Sequence, residues 1–255
     1  MAVYGDYLSP PFTAMAHRGG SLLTANLGIE NTIRAFRNAV DLGFSYLETD
    51  VHVSADGRLY AFHDENLERV TGYDGTLGEL NSSEVRELRV GGREPIPSLD
   101  ELFETFPTAH FNIDLKHDPA VEVLADAVSR HGAEHRVCVG SFSRARIKRF
   151  RALLPSVPTA VSSLGCAALL MGRISKGGQV YQVPITQAVG PTTFDLVTPG
   201  TIARAHAAGR KMHVWTIDDP TTMHRLIDWG VDGIVTDRPD LLKEVLRARG
   251  MWSTR

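Results

Sequence analysis

Residues 46–51 read Tyr46-Leu47-Glu48-Thr49-Asp50-Val51, a buried-strand pattern that carries two carboxylates. Charge on a core strand needs a partner or a bound ion. Side chains two apart on a strand share a face, about 7 Å apart along it. Two hard oxygens placed so can converge on one Mg2+ or Ca2+, or can be surface salt-bridge acids. The neighbouring sequence follows the same plan. Thr13 to Ala16 is an apolar run ending in His17-Arg18-Gly19-Gly20, Leu59 to Phe62 ends in His63-Asp64, and Phe111 to Leu115 carries Asp114 and leads into Lys116.

Apolar runs of this kind recur along the chain. Val137 to Val139, Thr159 to Ser162, Val180 to Val183, Met212 to Trp215 and Gly233 to Val235 bring the strand candidates to nine. Helical spacing fits Glu30 to Leu42, Ala120 to Arg130, Ser143 to Leu154, Pro199 to Ala208, Pro220 to Trp229 and Pro239 to Arg249. Strand–helix alternation without a linker predicts an α/β fold, a (β/α)8 TIM barrel formed as a single catalytic domain over 1–255. Nine candidates exceed eight staves, and Thr159 to Ser162 and Val180 to Val183 are the weakest. No GxGxxG follows the first strand, which argues against a dinucleotide-binding domain. Residues 53–58, centred on Asp56-Gly57, are too few for a crossover helix. They form either a hairpin or an extended return across the barrel. Residues 64–97 are polar and Gly-rich, an insertion at the rim with a short helix near Ser83 to Leu88.

Composition narrows the function. With 27 Lys or Arg against 30 Asp or Glu, the net charge of −3 argues against a general nucleic-acid binder. Cys138 and Cys166 are too few for a disulfide framework or a zinc cage, and both read as buried thiols. The uncharged windows 152–172 and 177–194 are broken by prolines and polar residues, so no membrane span is expected. With no cationic leader pattern at the start, the expected location is cytoplasmic.

In a parallel barrel, reacting groups gather at the carboxyl ends of the strands. Those ends hold His17 and Arg18, Glu48 and Asp50, His63 and Asp64, Asp114 and Lys116, then Asp218 and Asp237. Asp114 makes a third oxygen donor beside Glu48 and Asp50. His17 and His63 suit displacement at phosphorus, which needs a base on one side and an acid on the other. Arg18 and Lys116 can hold phosphate oxygens. The remaining eight of the ten histidines lie mid-strand, in loops or on helices, and read as structural or exposed.

In order, His17-Arg18-Gly19, Glu30-Asn31-Thr32, Glu48-Thr49-Asp50, His63-Asp64, Asn112 to Lys116, Val214-Trp215-Thr216 and Gly233 to Asp237 resemble the glycerophosphodiester phosphodiesterases over residues 13–240. The resemblance implies a TIM barrel that hydrolyses glycerophosphodiesters to sn-glycerol 3-phosphate and an alcohol, with one divalent cation, Mg2+ or Ca2+. It implies His17 and His63 as the catalytic acid and base, and Glu48, Asp50 and Asp114 as metal ligands. Arg18 and Lys116 would meet the phosphate, Trp215 would wall the glycerol or head group, and Glu30 and Asn31 would support the site. The partner is a small-molecule diester, and the oligomeric state is open. Because the family pattern puts His63 on one rim with Glu48 and Asp50, it favours the extended return over the hairpin.

Two departures matter. Asp114 stands where the family usually has Glu, and an Asp there is similar to the sphingomyelinase D-type enzymes. The loop 20–29 looks longer than usual and is expected over the barrel mouth. A related lysophospholipase D or sphingomyelinase D-like activity is the alternative, and a non-catalytic barrel that binds phosphate ligands is a third reading. A pure binder has no need of paired acid and base.

Overall fold

The computed structural model describes residues 7–189 and 192–252. Its main sheet runs in the order β7 (Val137–Gly140), β6 (His110–Leu115), β2 (Tyr46–Val53), β1 (Thr13–His17), β12 (Gly233–Thr236), β11 (Lys211–Val214) and β8 (Val180–Val183), all in parallel. The gap between β7 and β8 is closed by an irregular eighth stave. There Thr159 bridges Val139 and Ala160 bridges Val180, with Ala160 N–H donating to the Val139 carbonyl at 2.9 Å and Val161 N–H to that of Val180 at 2.8 Å. Pro158 lacks an N–H, which keeps this stave short of a regular strand. The expected barrel therefore closes.

The surplus candidate is not one of the two weakest. It is β3 (Leu59–Ala61), which pairs antiparallel with β2, Val51 opposite Ala61 and Val53 opposite Leu59. The short connection is thus a hairpin, and the extended return is corrected. The cause is the length of β2. Its eight residues run past Leu115, the end of its pairing with β6, so the chain can turn at Asp56-Gly57, with Gly57 at φ +82°, and fold back. Phe62 N–H then donates to the Asp50 carbonyl at 3.0 Å, which returns His63 to the rim.

Along β2, Leu47 and Val51 join the layer between sheet and helices, while Tyr46 joins Met15, Cys138, Val180 and Val235 inside the barrel. Glu48 and Asp50 share the inward face of Tyr46 and stand above it toward the mouth. The outer helices are α1 (Ile33–Asp41), α5 (Ala120–Arg130), α6 (Arg144–Leu153), α8 (Pro199–Ala207), α9 (Pro220–Trp229) and α10 (Pro239–Ala248), near the expected positions. Two helices lie outside those expectations: α4 (Leu99–Thr105), opened by a Ser98–Glu101 capping box, and α7 (Ser163–Leu170). Residues 64–97 hold α2 (Glu68–Thr71), α3 (Ser82–Val85) and the strand pair β4 (Arg89–Val90) and β5 (Glu94–Pro95). They fold around a small cluster of Leu67, Leu77, Leu80, Val85, Val90 and Ile96 that rests on Tyr60 and Phe62. A second pair, β9 (Thr186–Val189) and β10 (Thr192–Asp195), follows β8.

Candidate active site

A cleft of about 680 Å³ opens at the carboxyl ends of the staves. His17, Arg18, Glu48, Asp50, His63, Asp114, Lys116 and Trp215 all line it. Glu30 and Asn31 do not, and instead contact Arg18 from outside the cleft. No residue of the loop 20–29 lines the cleft, so its expected place over the mouth is corrected. Asn26 ties that loop to the first turn and to α1 by donating to the carbonyls of Gly19, Gly20 and Ala35.

Local backbone geometry sets the first motif. Gly19 has φ +84°, and a Cβ there would stand 2.8 Å from the Ala35 backbone, so only glycine lets the turn meet α1. Arg18 and Asn31 both take positive φ, at +50° and +58°. Each such residue costs on the order of 1 kcal/mol and persists where neighbours hold it. Here Asn31 N–H donates to the Arg18 carbonyl at 2.9 Å, Arg18 N–H to Glu48 Oε2 at 3.2 Å, and Thr49 Oγ1 to Asn31 Oδ1 at 2.9 Å.

Each histidine is held by a carboxylate. His17 Nδ1 lies 2.8 Å from Asp237 Oδ1, and His63 Nδ1 lies 2.7 Å from Asp64 Oδ1. In both rings Nε2 makes no hydrogen bond among the described residues, and the His17 Nε2 lies 3.7 Å from Glu48 Oε2. Burial pulls the His17 pKa down, but Glu48 and Asp237 outweigh it and the net shift is upward. Asp64 resists burial and is held down to about 2 by Arg69 and His63. Asp237 is likewise lowered, by His17 and Ser21 against its burial.

Behind this pair runs an ionic chain that the sequence did not disclose. Arg69 contacts Asp64 and pairs with Glu30 at 2.7 Å, and Glu30 accepts from Arg18 at 3.0 Å. Glu30 thus ties the phosphate-binding candidate on one side to the His63 support on the other.

Asp50 and Asp114 stand level on neighbouring strands, and Glu48, opposite Asn112, lies two residues deeper on the same face of β2. Burial and the nearby Asp50 push Glu48 up to about 7, and burial also raises Asp114. Lys116 Nζ lies between Asp50 at 2.8 Å and Asp114 at 2.9 Å, and these two acids raise its pKa against its burial. Among the described residues no three His, Cys, Asp or Glu side chains stand preassembled as a metal-holding group. Asp114 is turned to Lys116. The donors nonetheless suit a hard cation, for the buried Asp50 Oδ2 has no hydrogen bond. It faces Arg18 Nε, also unbonded, across 3.7 Å.

The other side of the cleft is apolar. Phe142, Leu164, Ala167, Leu170, Phe194 and Leu196 line it, and Phe142 packs edge-to-face on Trp215 at 6.1 Å. The model of the glycerophosphoryl diester phosphodiesterase family matches residues 17–241, from the first site histidine to beyond Asp237. The chain belongs to that family.

Members of the family match almost end to end. The Mycobacterium tuberculosis protein named "Probable glycerophosphodiester phosphodiesterase 2" is 38% identical over 94% of this chain and 92% of its own. Human "Lysophospholipase D GDPD1" is 26% identical over 91% and 85%. The crystal structure of the Agrobacterium tumefaciens glycerophosphodiester phosphodiesterase superposes with a TM-score of 0.76 at 27% identity, covering 91% of this chain and 98% of that one.

Proposed function

We propose that this phosphodiesterase hydrolyses glycerophosphodiesters to sn-glycerol 3-phosphate and an alcohol, through His17 and His63 and one divalent cation, Mg2+ or Ca2+. The observation that carries this reading is the pair of Asp-held imidazoles, neither with a hydrogen bond at Nε2 among the described residues, in a cleft that also holds Arg18 and Lys116. One Nε2 takes the proton of the glycerol 2-hydroxyl or of a water. The oxygen attacks phosphorus, the bond from phosphorus to the alcohol oxygen breaks, and the other imidazole returns a proton to that oxygen. If the 2-hydroxyl attacks, a cyclic phosphate forms and water opens it, an intramolecular route favoured by proximity.

Arg18 and Lys116 hold the phosphate oxygens, and Trp215 walls the organic part of the substrate. Glu48, Asp50 and Asp114 would hold the cation, whose charge offsets that of the phosphodiester. Glu30 and Asn31 position Arg18. The insertion 64–97 belongs to the same catalytic unit, because its Arg69 anchors Asp64 and Glu30.

Purified protein given Mg2+ or Ca2+ releases glycerol 3-phosphate from glycerophosphocholine or glycerophosphoethanolamine, and a chelator stops it. Folded, metal-supplied protein that turns over no glycerophosphodiester would overturn the proposal. The apolar side favours a second reading, in which the diester bears an acyl chain, as in a lysophospholipid. Each methylene moved from water to such a wall contributes about 0.8 kcal/mol. Turnover of lysophosphatidylcholine above that of glycerophosphocholine would select it.

A further inference from the structure

Residues 135–194 carry eight Lys or Arg and no Asp or Glu, in a chain with 27 basic and 30 acidic residues overall. This acid-free segment builds most of the apolar side of the cleft, which Leu196 and Trp215 complete. Within it Arg136 is spent on backbone carbonyls, Arg151 on Thr159 and Ala160, Arg146 on Asp118 and Arg149 on Glu122. Arg144, Lys148, Arg173 and Lys176 are exposed and have no side-chain partner among the described residues. Arg144 and Lys148 stand four apart on α6, so they share its face, and Arg144 comes two residues after Phe142 at the mouth.

The same segment exposes large apolar side chains. Phe142 is 68% exposed, Leu164 64% and Met171 75%. Helix α7 has no charged residue, and its buried side holds Gly165 and Leu169. Its outer stripe, Leu164, Ala167 and the following Met171, is exposed at helical spacing. A surface helix normally turns a polar face to water, and α7 turns an apolar one. Exposed apolar side chains flanked along the chain by unpaired cations are what an anionic lipid interface takes up.

We propose that residues 142–176 dock the enzyme on an anionic phospholipid surface, with Phe142, Leu164 and Met171 entering the interface and Arg144, Lys148, Arg173 and Lys176 meeting lipid phosphates. No span is involved, for no helix of the described residues is long and apolar enough to cross a membrane. Docking brings the apolar side of the cleft to the lipid. The proposal goes beyond the hydrolytic reading and does not depend on it, because binding is read without turnover.

The test is flotation of the full chain with vesicles of phosphatidylglycerol and phosphatidylcholine, against vesicles of phosphatidylcholine alone. The protein floats with the anionic vesicles and not with the neutral ones. Arg144→Glu with Lys148→Glu weakens that partition at least ~10-fold, at about 1 kcal/mol per cation near such a surface. Met171→Ser weakens it further. The charge-reversed chain keeps the circular dichroism spectrum and the urea midpoint of the parent, which separates lost docking from lost folding. Failure of the intact chain to bind anionic vesicles overturns the proposal, as does unchanged binding by the charge-reversed variant. Equal retention by a DNA duplex, insensitive to Met171→Ser, would also overturn it and mark a general polyanion surface.

Discussion

The two sides of the cleft are made of different chemistry by different parts of the chain. Every charged side chain that lines it comes from residues 17–116, on β1, β2, β6 and the turn after β3. From Gly140 onward the lining is uncharged and largely apolar, on the ends of β7 and β8, on α7 and on Trp215. On the function proposed above, the charged half of the mouth would carry the reaction and the apolar half would choose what is reacted. Changes in the first half should strike all substrates alike. Changes in the second should strike according to the apolar part of the substrate.

The largest expected effects lie in the charged half. His17→Ala and His63→Ala each lower kcat by at least ~100-fold, the scale of a lost general acid or base, on every diester tested. Steady-state kinetics with short and acylated substrates checks this. An effect confined to one substrate class would break the division.

Next come the carboxylates behind the histidines. Asp237→Asn removes a charge that raises the His17 pKa, so that pKa moves down, as read by NMR titration. Activity falls by roughly 10-fold through lost orientation, short of the full loss of the imidazole. The sign extends to stability. A raised folded-state pKa means the protonated His17 pairing contributes fully below the unfolded pKa of about 6.5 and is lost as pH rises through the folded value. Asp237→Asn therefore costs more stability at pH 5 than at pH 9, which urea unfolding at both pH values measures.

A similar argument with the opposite sign applies deeper in the barrel. Burial and the nearby Lys211 push the pKa of His213 down to about 3, and neither of its ring nitrogens finds a hydrogen-bond partner among the described residues. It is neutral when folded and charged when unfolded, so stability is lost as pH falls from about 6.5 toward 3. His213→Leu flattens that slope in acid unfolding, with little change at pH 8 beyond repacking.

These halves were also unequally legible in the sequence. His17, Glu48, Asp50, His63, Asp114 and Lys116 stood out because charge at the end of an apolar run has few structural uses, and the structure brings all of them to one cleft. Their supports were harder to read. Asp64 and Asp237 sat inside noticed motifs, yet only folding shows which nitrogen each holds. Arg69 lies on a short helix of the insertion with no local pattern to mark it. In the apolar half the family motif marks only Trp215, since nothing local to Phe142, Leu164 and Leu170 tells a mouth residue from a core one before the chain folds. The alternation of strands and helices carried the barrel. It could not tell the antiparallel β3 from a parallel stave, because an apolar run has no direction until it pairs. Nor could it give weight to Thr159 and Ala160, whose prolines disguise a stave held by bridges.

The division of the cleft is tested most directly by the kcat/KM of Leu164→Ser with Leu170→Ser on glycerophosphocholine and on its acylated counterpart, lysophosphatidylcholine. Lost apolar contact is expected to lower the acylated rate by roughly 10-fold and to leave the soluble diester within about twofold. Equal losses on both substrates, in a variant that remains folded, would contradict the account.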